Sequence, residues 1–196
     1  MCEYKKNKNG DLLIKGNNQV MMEWEKPYME ESINFLQPFG HVLEVGFGLG
    51  YSATRIMQFP IDSYTIIECD TCVIEKIQEW KKKYNIPIYI VQGTWQCKLH
   101  SLGKFDSIYF DDFPFSEDIF SITRIHIFLE LCIQNHTNIG SKISYYLNSN
   151  KPHTLPSSVS PFVSSSYKSI DIKIPDSCNY RDLSIQKCLI PLLKVN

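Results

Sequence analysis

A glycine-rich turn and a set of acidic side chains are the features of this sequence that could bind and activate a small molecule. The turn reads G-F-G-L-G at 46–50, and it directly follows an apolar run at 42–45 that suits a buried parallel strand. Glycines let the backbone turn tightly with no Cβ in the way of a ligand. A helix predicted at 52–59 would then point its free N–H groups at that ligand. The pattern predicts a nucleotide-binding corner of strand, turn and helix.

The spacing of the glycines distinguishes between two kinds of nucleotide site. A dinucleotide-binding fingerprint, G-x-G-x-x-G/A, needs a small residue at position 51, which is occupied by Tyr51. The third glycine comes one residue earlier, so the pattern from Glu44 to Gly50 is E-x-G-x-G-x-G. This pattern resembles the first motif of class I methyltransferases, which use S-adenosylmethionine. On the motif alone, a plain tight turn without a ligand stays open as the alternative.

Acidic residues stand at the ends of two further predicted strands. Glu68 ends the strand at 63–68 and lies 22 residues after Gly46, where βαβ nucleotide folds place the carboxylate that binds ribose hydroxyls. Asp111 and Asp112 follow the fourth strand, and ligands of open α/β sheets bind beyond such carboxyl ends. From the residues alone, a functional role for Asp111 and a role as a turn cap are equal alternatives.

A further candidate site lies near the start of the chain. Glu23 and Glu25 flank Trp24, just before a helix that Pro27 can begin at its first turn. A carboxylate and an aromatic face together can hold a cation. The alternative is a helix that only covers the sheet.

Strand and helix patterns alternate along the chain, which predicts a doubly wound α/β sheet. The last two strands have no helix between them, so the final strand is expected to be antiparallel. The fold class is therefore a Rossmann-like, seven-stranded sheet of the class I methyltransferase type, in a single domain at 19–196 preceded by a mobile polar arm at 1–18. The predicted strands are 42–45, 63–68, 88–91, a fourth strand with its exit loop over 105–114, 143–147, 170–174 and 188–195. Besides those at 52–59 and after Pro27, helices are predicted at 72–84 and from Ser116 to about Asn135, and a loop at 148–166.

Composition narrows the possible partners. The net charge of −1 and the pI of about 6.5 provide no positive field for nucleic acid or for an anionic membrane. No apolar run follows the first lysines to make a signal peptide, so a cytoplasmic location is expected. The C-x-x-C at 69–72 has no second half with metal-ligand spacing, and we expect no metal. The chain is expected to be a monomer or a homodimer.

Five collinear blocks resemble the guanidinoacetate N-methyltransferase family and its protein arginine N-methyltransferase relatives. The first and fourth blocks are specific to that family. The blocks are V-M-M-E-W-E-K-P-Y-M at 20–29, V-L-E-V-G-F-G at 42–48, P-I-D-S-Y-T-I-I-E-C at 60–69, Y-F-D-D-F-P-F-S-E at 109–117 and I-P-L-L-K-V at 190–195.

The resemblance implies S-adenosylmethionine as the cofactor and a small molecule with a guanidino group as the substrate. It implies Asp111 as the catalytic base and Glu25 as the acid that orients the guanidinium. The substrate would be bound by Glu25, Asp111, Asn148 and Ser149. The cofactor would be bound by Met21, Met29, Glu44, Gly46, Phe47, Gly48, Leu49, Gly50, Tyr51, Ser52, Glu68, Cys69, Asp70, Thr94, Trp95 and Asp111.

The sequence also departs from the family pattern near the substrate. Phe113 stands where the family has Tyr, Asp112 stands where a neutral Thr is usual, and the segment after strand five is reduced. An extra acid beside Asp111 is expected to favour a cationic substrate. Three interpretations therefore stay open: methylation of guanidinoacetate to creatine; methylation of arginine, a protein arginine or another guanidino compound; and a cofactor-binding homologue without catalysis.

Overall fold

The computed structural model describes residues 2–113 and 122–196. The strands, in chain order, are β1 Cys2–Asn7, β2 Gly10–Lys15, β3 Asn18–Met22, β4 Gly40–Val45, β5 Ile61–Glu68, β6 Ile88–Gln92, β7 Ser107–Phe110, β8 Lys142–Tyr145, β9 Val163–Asp171 and β10 Lys187–Val195. The α-helices are α1 Lys26–Leu36, α2 Tyr51–Ile56, α3 Thr71–Trp80, α4 Trp95–Lys98 and α5 Ile122–Leu131. Short 3-10 turns lie at Glu23–Glu25, Lys81–Lys83, Leu99–Ser101 and Ser160–Phe162, and α5 continues as a π-helix over Cys132–His136.

Seven of the described strands form one sheet in the order β6-β5-β4-β7-β8-β10-β9. Strands β4 to β8 run parallel to one another, whereas β10 is antiparallel to both β8 and β9. The helices between the parallel strands provide the crossovers that parallel pairing requires. The predicted fold class, including its antiparallel last strand, is confirmed.

The register of the sheet brings the predicted site residues to one edge. Val45 of β4 lies opposite Ile67 of β5 and Phe110 of β7. Glu68 lies opposite Gln92 of β6. Because these strands are parallel, the residues that follow them leave the sheet side by side. The glycine turn, the end of β5, the start of α4 and the acids after β7 therefore meet at the carboxyl edge.

Each face of the sheet carries its own apolar core. Val42 points into a core shared with α1 and α3, through Ile33 and Ile77, and all three side chains are fully buried. Leu43, the next residue, points into the opposite core, where it is joined by Phe128 of α5. Successive strand residues face opposite sides of a sheet, so an apolar run that is buried on both faces fixes β4 in the centre.

The N-terminal segment differs from the mobile arm predicted at 1–18. Strands β1, β2 and β3 form an antiparallel sheet of their own. The turn between β1 and β2 is at residues 8–9 and is followed by Gly10, the first residue of β2, and the turn between β2 and β3 begins at Gly16; the φ angles of the two glycines are +99° and +60°. The polar Asn-Gly and Lys-Gly pairs that suggested a mobile arm thus lie at the ends of hairpin turns. Leu13 is only 1% exposed, because it packs into the core that contains Phe47.

Two predictions near the C-terminus, the loop at 148–166 and the strand at 170–174, need correction. β9 begins at Val163, within the segment predicted to be a loop, and ends before 174. Its serines at 164–166 pair with β10 while their side chains are exposed, so the strand lacks the apolar pattern by which it could be recognised. Pro191 is accommodated in β10 because β8 pairs only with Leu193 and Lys194, beyond the proline.

The helix predicted from Ser116 is described only from Ile122 onward, and its predicted cap at Ser116 lies outside the described residues. Within residues 2–113 and 122–196, no helix has the length and apolar character needed to cross a membrane.

The packing of the N-terminal sheet can be tested by truncating Leu13. We expect Leu13→Ala to lower the free energy of unfolding by about 2–5 kcal/mol, as is typical for a buried leucine, measured by urea denaturation. Leu183→Ala, at a leucine that is 47% exposed, is the control and should change it little. Equal stabilities of the two variants would indicate that β2 does not pack on the domain.

Candidate active site

A cavity of about 560 Å³ opens at the carboxyl edge of the sheet. Its walls come from the glycine turn, the ends of β5, β7 and β8, and the N-terminal sheet. This volume is in the range of pockets that hold small ligands. The predicted site residues that line the cavity are Met21, Glu25, Gly46, Phe47, Gly48, Glu68, Cys69, Asp70, Thr94, Trp95, Asp111, Asn148 and Ser149.

Six predicted cofactor-binding residues are not part of the cavity wall. Met29 is buried below it, where its sulfur accepts a hydrogen bond of 3.1 Å from the Tyr109 hydroxyl. The others belong to the last part of the turn and the first turn of α2, or, for Glu44, to the interior of β4. These residues are Met29, Glu44, Leu49, Gly50, Tyr51 and Ser52.

Two positions of the turn require glycine. Gly46 has a φ of +83°, and a Cβ there would lie 2.1 Å from the backbone carbonyl oxygen of Asp111. Gly48 has a φ of +54°, and a Cβ there would lie 2.6 Å from the sulfur of Met21. A side chain at position 46 would push β4 and β7 apart. The glycines therefore set the distance between the turn and Asp111.

The Glu68 carboxylate holds the turn against the end of β5. Its Oε2 accepts a hydrogen bond of 3.1 Å from the Phe47 N–H. Its Oε1 accepts bonds of 2.7 and 2.9 Å from the N–H groups of Cys69 and Asp70. A carboxylate has about four lone-pair sites, so Oε2 keeps acceptor capacity for a ligand hydroxyl. The position predicted to bind ribose is thus at the cavity wall and already oriented.

The N-terminal sheet forms the wall opposite the strand ends. The Tyr4 hydroxyl donates a hydrogen bond of 2.9 Å to the carbonyl oxygen of Gly48. Lys15 forms an ion pair of 3.1 Å with Asp70. These contacts join residues far apart in the sequence, and sequence reasoning missed them. The segment assigned to a mobile arm is therefore part of the site.

Asp111 lies at the end of β7 with its backbone N–H bonded to the carbonyl oxygen of Val45, at 2.9 Å. Burial raises the pKa of its carboxyl well above the usual range, and the negative charges of Glu25, Asp112 and Glu44 raise it further. A carboxylate with a raised pKa is a stronger base than a solvated one.

Asp112, unlike Asp111, is fully engaged with protein groups. Its Oδ1 forms an ion pair of 2.8 Å with Arg124 of α5, and its Oδ2 accepts a hydrogen bond of 2.8 Å from the Trp95 Nε1–H. Both ion-pair side chains are 14% exposed. The arginine balances the charge of Asp112, so the sequence-based expectation that this acid itself favours a cationic substrate loses its main support.

Glu25 is 3% exposed and is held by three donors. Its Oε1 accepts a hydrogen bond of 3.0 Å from the Tyr146 hydroxyl. Its Oε2 accepts bonds of 2.7 Å from the Tyr180 hydroxyl and 3.0 Å from the Met22 N–H. Sequence reasoning missed both tyrosines. Tyr146 could have been found from its place at the end of β8, whereas Tyr180 lies in a polar connection without any signal.

Asn148 and Ser149 line the cavity where the substrate was predicted to bind. The Ser149 hydroxyl donates to the carbonyl oxygen of Lys151 and accepts from its N–H, both at 3.0 Å. Those bonds close a local turn and use most of the capacity of the hydroxyl. Asn148 is exposed, so this end of the cavity meets solvent.

A family model described as guanidinoacetate N-methyltransferase matches residues 1–150. The chain belongs to the guanidinoacetate N-methyltransferase family. The matched residues include the glycine turn, Glu68 and both candidate acids, Glu25 and Asp111. They end before β9 and β10.

Similar curated proteins include protein arginine N-methyltransferases. Protein arginine N-methyltransferase 2 of Candida glabrata is 36% identical over 117 residues, covering 53% of this chain and 28% of the relative. That of Yarrowia lipolytica is 31% identical over 118 residues, covering 54% and 24%. This chain therefore spans only about a quarter of the length of those relatives.

The fold of this chain is also found in solved structures of other proteins. Spermidine synthase of Thermotoga maritima has a TM-score of 0.70 and 14% identity, covering 99% of this chain and 68% of that one. An O-methyltransferase of Bacillus cereus in complex with SAH has a TM-score of 0.59 and 12% identity, covering 90% and 82%. At these identities the likeness establishes the fold and nothing finer.

The family and the fold together identify S-adenosylmethionine as the cofactor, as predicted. The residues of the cavity fit this molecule. Glu68 offers a carboxylate oxygen for ribose hydroxyls, and Gly48 leaves room where a Cβ would touch Met21. Thr94 and Trp95, which were predicted to lie by the adenine, follow β6 and line the cavity.

No three His, Cys, Asp or Glu side chains in the described ranges are grouped as metal ligands would be, and the absence of a metal remains a prediction.

Glu44 has a structural place behind the cavity. It is fully buried, accepts a hydrogen bond from the Tyr64 hydroxyl and is also hydrogen-bonded to Ser52. Burial raises the pKa of its carboxyl to about 8, and the charge of Glu68 contributes to the rise. The folded protein therefore holds a proton on Glu44 that the unfolded chain releases.

Replacement of Glu44 tests how protonation of this carboxyl is coupled to folding. The pKa is raised on folding, so the stability that Glu44 contributes is complete below about pH 4.5 and is lost as the pH rises towards 8. A glutamine does not titrate, and we expect Glu44→Gln to gain up to about 1.4 kcal/mol per pH unit over the native protein in that window. Denaturation at pH 5 and pH 8 measures it.

The exposed Glu79 provides the control for this experiment, because its pairing with Lys82 is on the surface. Glu79→Gln should show no such trend. A constant stability difference between Glu44→Gln and the native protein at both pH values would contradict the assignment.

Proposed function

We propose that this chain is an S-adenosylmethionine-dependent N-methyltransferase that acts on a guanidino group, most simply converting guanidinoacetate to creatine. The observation that carries the proposal is the pairing of Glu25 and Asp111 in one cavity with the cofactor corner. They lie far apart in the matched sequence, and the charge of Glu25 acts on Asp111. Two carboxylates in one cavity suit a planar guanidinium, which has N–H donors on several edges.

The chemistry assigned to these residues follows from the properties of the guanidinium. Its pKa exceeds about 12, so at neutral pH its nitrogens carry protons and are weak nucleophiles. When bound, S-adenosylmethionine supplies a methyl group on a sulfonium that accepts an electron pair as the S–C bond breaks. Glu25 orients the guanidinium, and Asp111 accepts the proton that the nitrogen releases as the N–C bond forms.

The electrostatics of the cavity support this division of roles. Burial and the neighbouring acids raise the pKa of Asp111, which favours its protonated form when no substrate is bound. The positive charge of a bound guanidinium offsets that repulsion and favours the ionised carboxylate. The base would thus become available when the substrate is present.

Arginine, either free or in a protein, is the second candidate substrate. The curated relatives are protein arginine N-methyltransferases, although they match only about half of this chain. Asn148 is exposed at the cavity wall, so a longer substrate tail could extend into solvent there. A cofactor-binding homologue without catalysis is the third candidate, and the presence of both Glu25 and Asp111 argues against it.

A mass-spectrometric assay separates these candidates. The protein is incubated with S-adenosylmethionine and, separately, guanidinoacetate, arginine, agmatine and an arginine-containing peptide. We expect creatine together with an equal amount of S-adenosylhomocysteine. If only arginine or the peptide is methylated, that compound replaces guanidinoacetate as the proposed substrate, and the proposed reaction stays the same. Cofactor binding without any methylated guanidine would overturn the proposal.

Asp111→Asn tests the assignment of the base. The amide keeps the shape of the side chain but cannot accept the proton, so we expect kcat to fall by about 10²- to 10⁴-fold. Calorimetry with S-adenosylhomocysteine separates loss of the base from loss of cofactor binding, because Asp111 was also predicted to contact the cofactor. Asp176→Asn, in the exposed connection after β9, is the control and should keep full activity. Near-normal turnover by Asp111→Asn would remove Asp111 from the base role.

A further inference from the structure

Arg181 is a buried cation behind the wall of the cavity. It lies in the connection between β9 and β10 and is 8% exposed. Its guanidinium carbon is 5.4 Å from the ring centroids of both Trp24 and Tyr146. Position 181 is beyond the residues that match the family model, so the family match assigns it no role. Burying a charge is costly unless it is paired, which calls for an explanation of this arginine.

A chain of hydrogen bonds connects Arg181 to the candidate substrate acid. Its Nη1 donates to the Tyr146 hydroxyl, and that hydroxyl donates to Oε1 of Glu25 at 3.0 Å. Its Nη2 donates to the sulfur of Cys188, a fully buried residue of β10. The guanidinium is thus fixed at both ends. The Tyr146 hydroxyl, which accepts from a cation, is made a stronger donor to the carboxylate.

The acceptor capacity of Glu25 determines what it can still bind. Its Oε2 already accepts from Tyr180 and from Met22, and among the described residues its Oε1 accepts only from Tyr146. With two lone pairs on each oxygen, Oε1 retains one acceptor site. Because the Tyr146 bond fixes the rotation of the carboxylate, the direction of that remaining site is fixed as well.

The charges in the cavity favour the same interpretation. Glu25 and Asp111 repel each other, and a bound guanidinium carries a single positive charge. Arg181 supplies a second positive charge next to Glu25, so that both acids can be ionised together around one substrate cation. Without this arginine, burial and repulsion would favour a proton on Glu25.

We propose that Arg181, acting through the Tyr146 hydroxyl, is a positioning residue that keeps Glu25 ionised and aims one lone pair of Oε1 at the substrate guanidinium. This inference rests on the proposed function of the same cavity. It adds residues from the C-terminal strands to the substrate site.

The pH dependence that follows is set by the groups around Glu25. Burial raises the pKa of Glu25 on balance, and Tyr180, the Met22 N–H, Tyr146 and Arg181 limit the rise. Removing the arginine therefore raises the pKa further, and the loss of guanidine affinity should be largest at low pH and shrink as the pH rises. The titratable and charged groups that act on Glu25 or feel its charge are Tyr51, Asp111, Tyr146, Cys178, Tyr180 and Arg181.

The test is calorimetric binding of guanidines to the protein saturated with S-adenosylhomocysteine, between pH 6 and 9. The probe is whichever of guanidinoacetate, arginine and agmatine the unaltered protein binds most tightly. We expect Arg181→Met to lower the affinity for this probe by about 10- to 100-fold at pH 7, because a charge-assisted hydrogen bond is lost. At pH 9 the loss of affinity should be smaller. Arg181→Lys should keep part of the affinity.

Tyr146→Phe keeps the ring under the guanidinium but breaks the hydrogen-bond chain, and it keeps the proposal testable if Arg181→Met folds poorly. It should shift the pH dependence in the same direction. Both changes interrupt the same hydrogen-bond chain. The double variant should therefore bind the guanidine about as tightly as the single variant that has the lower affinity. Lys168→Met is the matched control, because it removes a cation that pairs with Glu31 on the surface.

The possible outcomes separate the two proposals. No binding or methylation of any guanidine by the unaltered protein would overturn the proposed function itself. If the unaltered protein binds a guanidine, three results would overturn the role of Arg181 alone: unchanged affinity in Arg181→Met and Tyr146→Phe, a loss that does not depend on pH, and strictly additive losses in the double variant. A parallel loss of S-adenosylhomocysteine affinity would indicate a purely structural role and would overturn it too.

Discussion

The close approach of the β4 and β7 strand ends determines the rest of this site. At Gly46 the backbone comes so near the Asp111 carbonyl that a Cβ would collide with it, while Val45 accepts the Asp111 N–H. This contact fixes the start of the cofactor turn and the candidate base relative to each other. Because the contact joins backbone atoms, the separation between the turn and the backbone of Asp111 does not depend on flexible side chains. The sheet register then brings Glu68 to the same edge.

The second constraint is electrostatic. Several carboxylates are gathered at the cavity, and burial together with the neighbouring acids Glu25, Asp112 and Glu44 raises the pKa of Asp111. Two of them are given arginine partners: Asp112 pairs with Arg124, and Glu25 is linked to Arg181 through Tyr146. Burial and the neighbouring acids keep the pKa of Asp111 well above its usual range. Selective pairing of its neighbours would thus distinguish Asp111, the proposed base, from the acids around it.

Much of this could be predicted from the sequence, because the signals are local. The glycine turn, the position of Glu68 and the alternation of strands and helices gave the fold class and the cofactor edge. The N-terminal sheet was missed because its Asn-Gly and Lys-Gly pairs were interpreted as a mobile arm, although they are hairpin turns. β9 was misplaced because its exposed serines carry no apolar pattern. Tyr180 and Arg181 could not be found, since only the three-dimensional fold brings residue 180 to residue 25.

The departures of this chain from the family pattern are compensated within the structure. The aspartate at position 112 occurs together with an arginine on α5 and an indole donor on α4, so that it adds a structural link instead of a free charge. Glu25, the proposed substrate acid, is linked through Tyr146 to an arginine outside the matched segment. Under the proposed function, the positive charge of a bound guanidinium would then offset the acids that raise the pKa of Asp111. Such a site would select for one guanidinium group and would leave the tail of the substrate to the solvent-facing wall at Asn148.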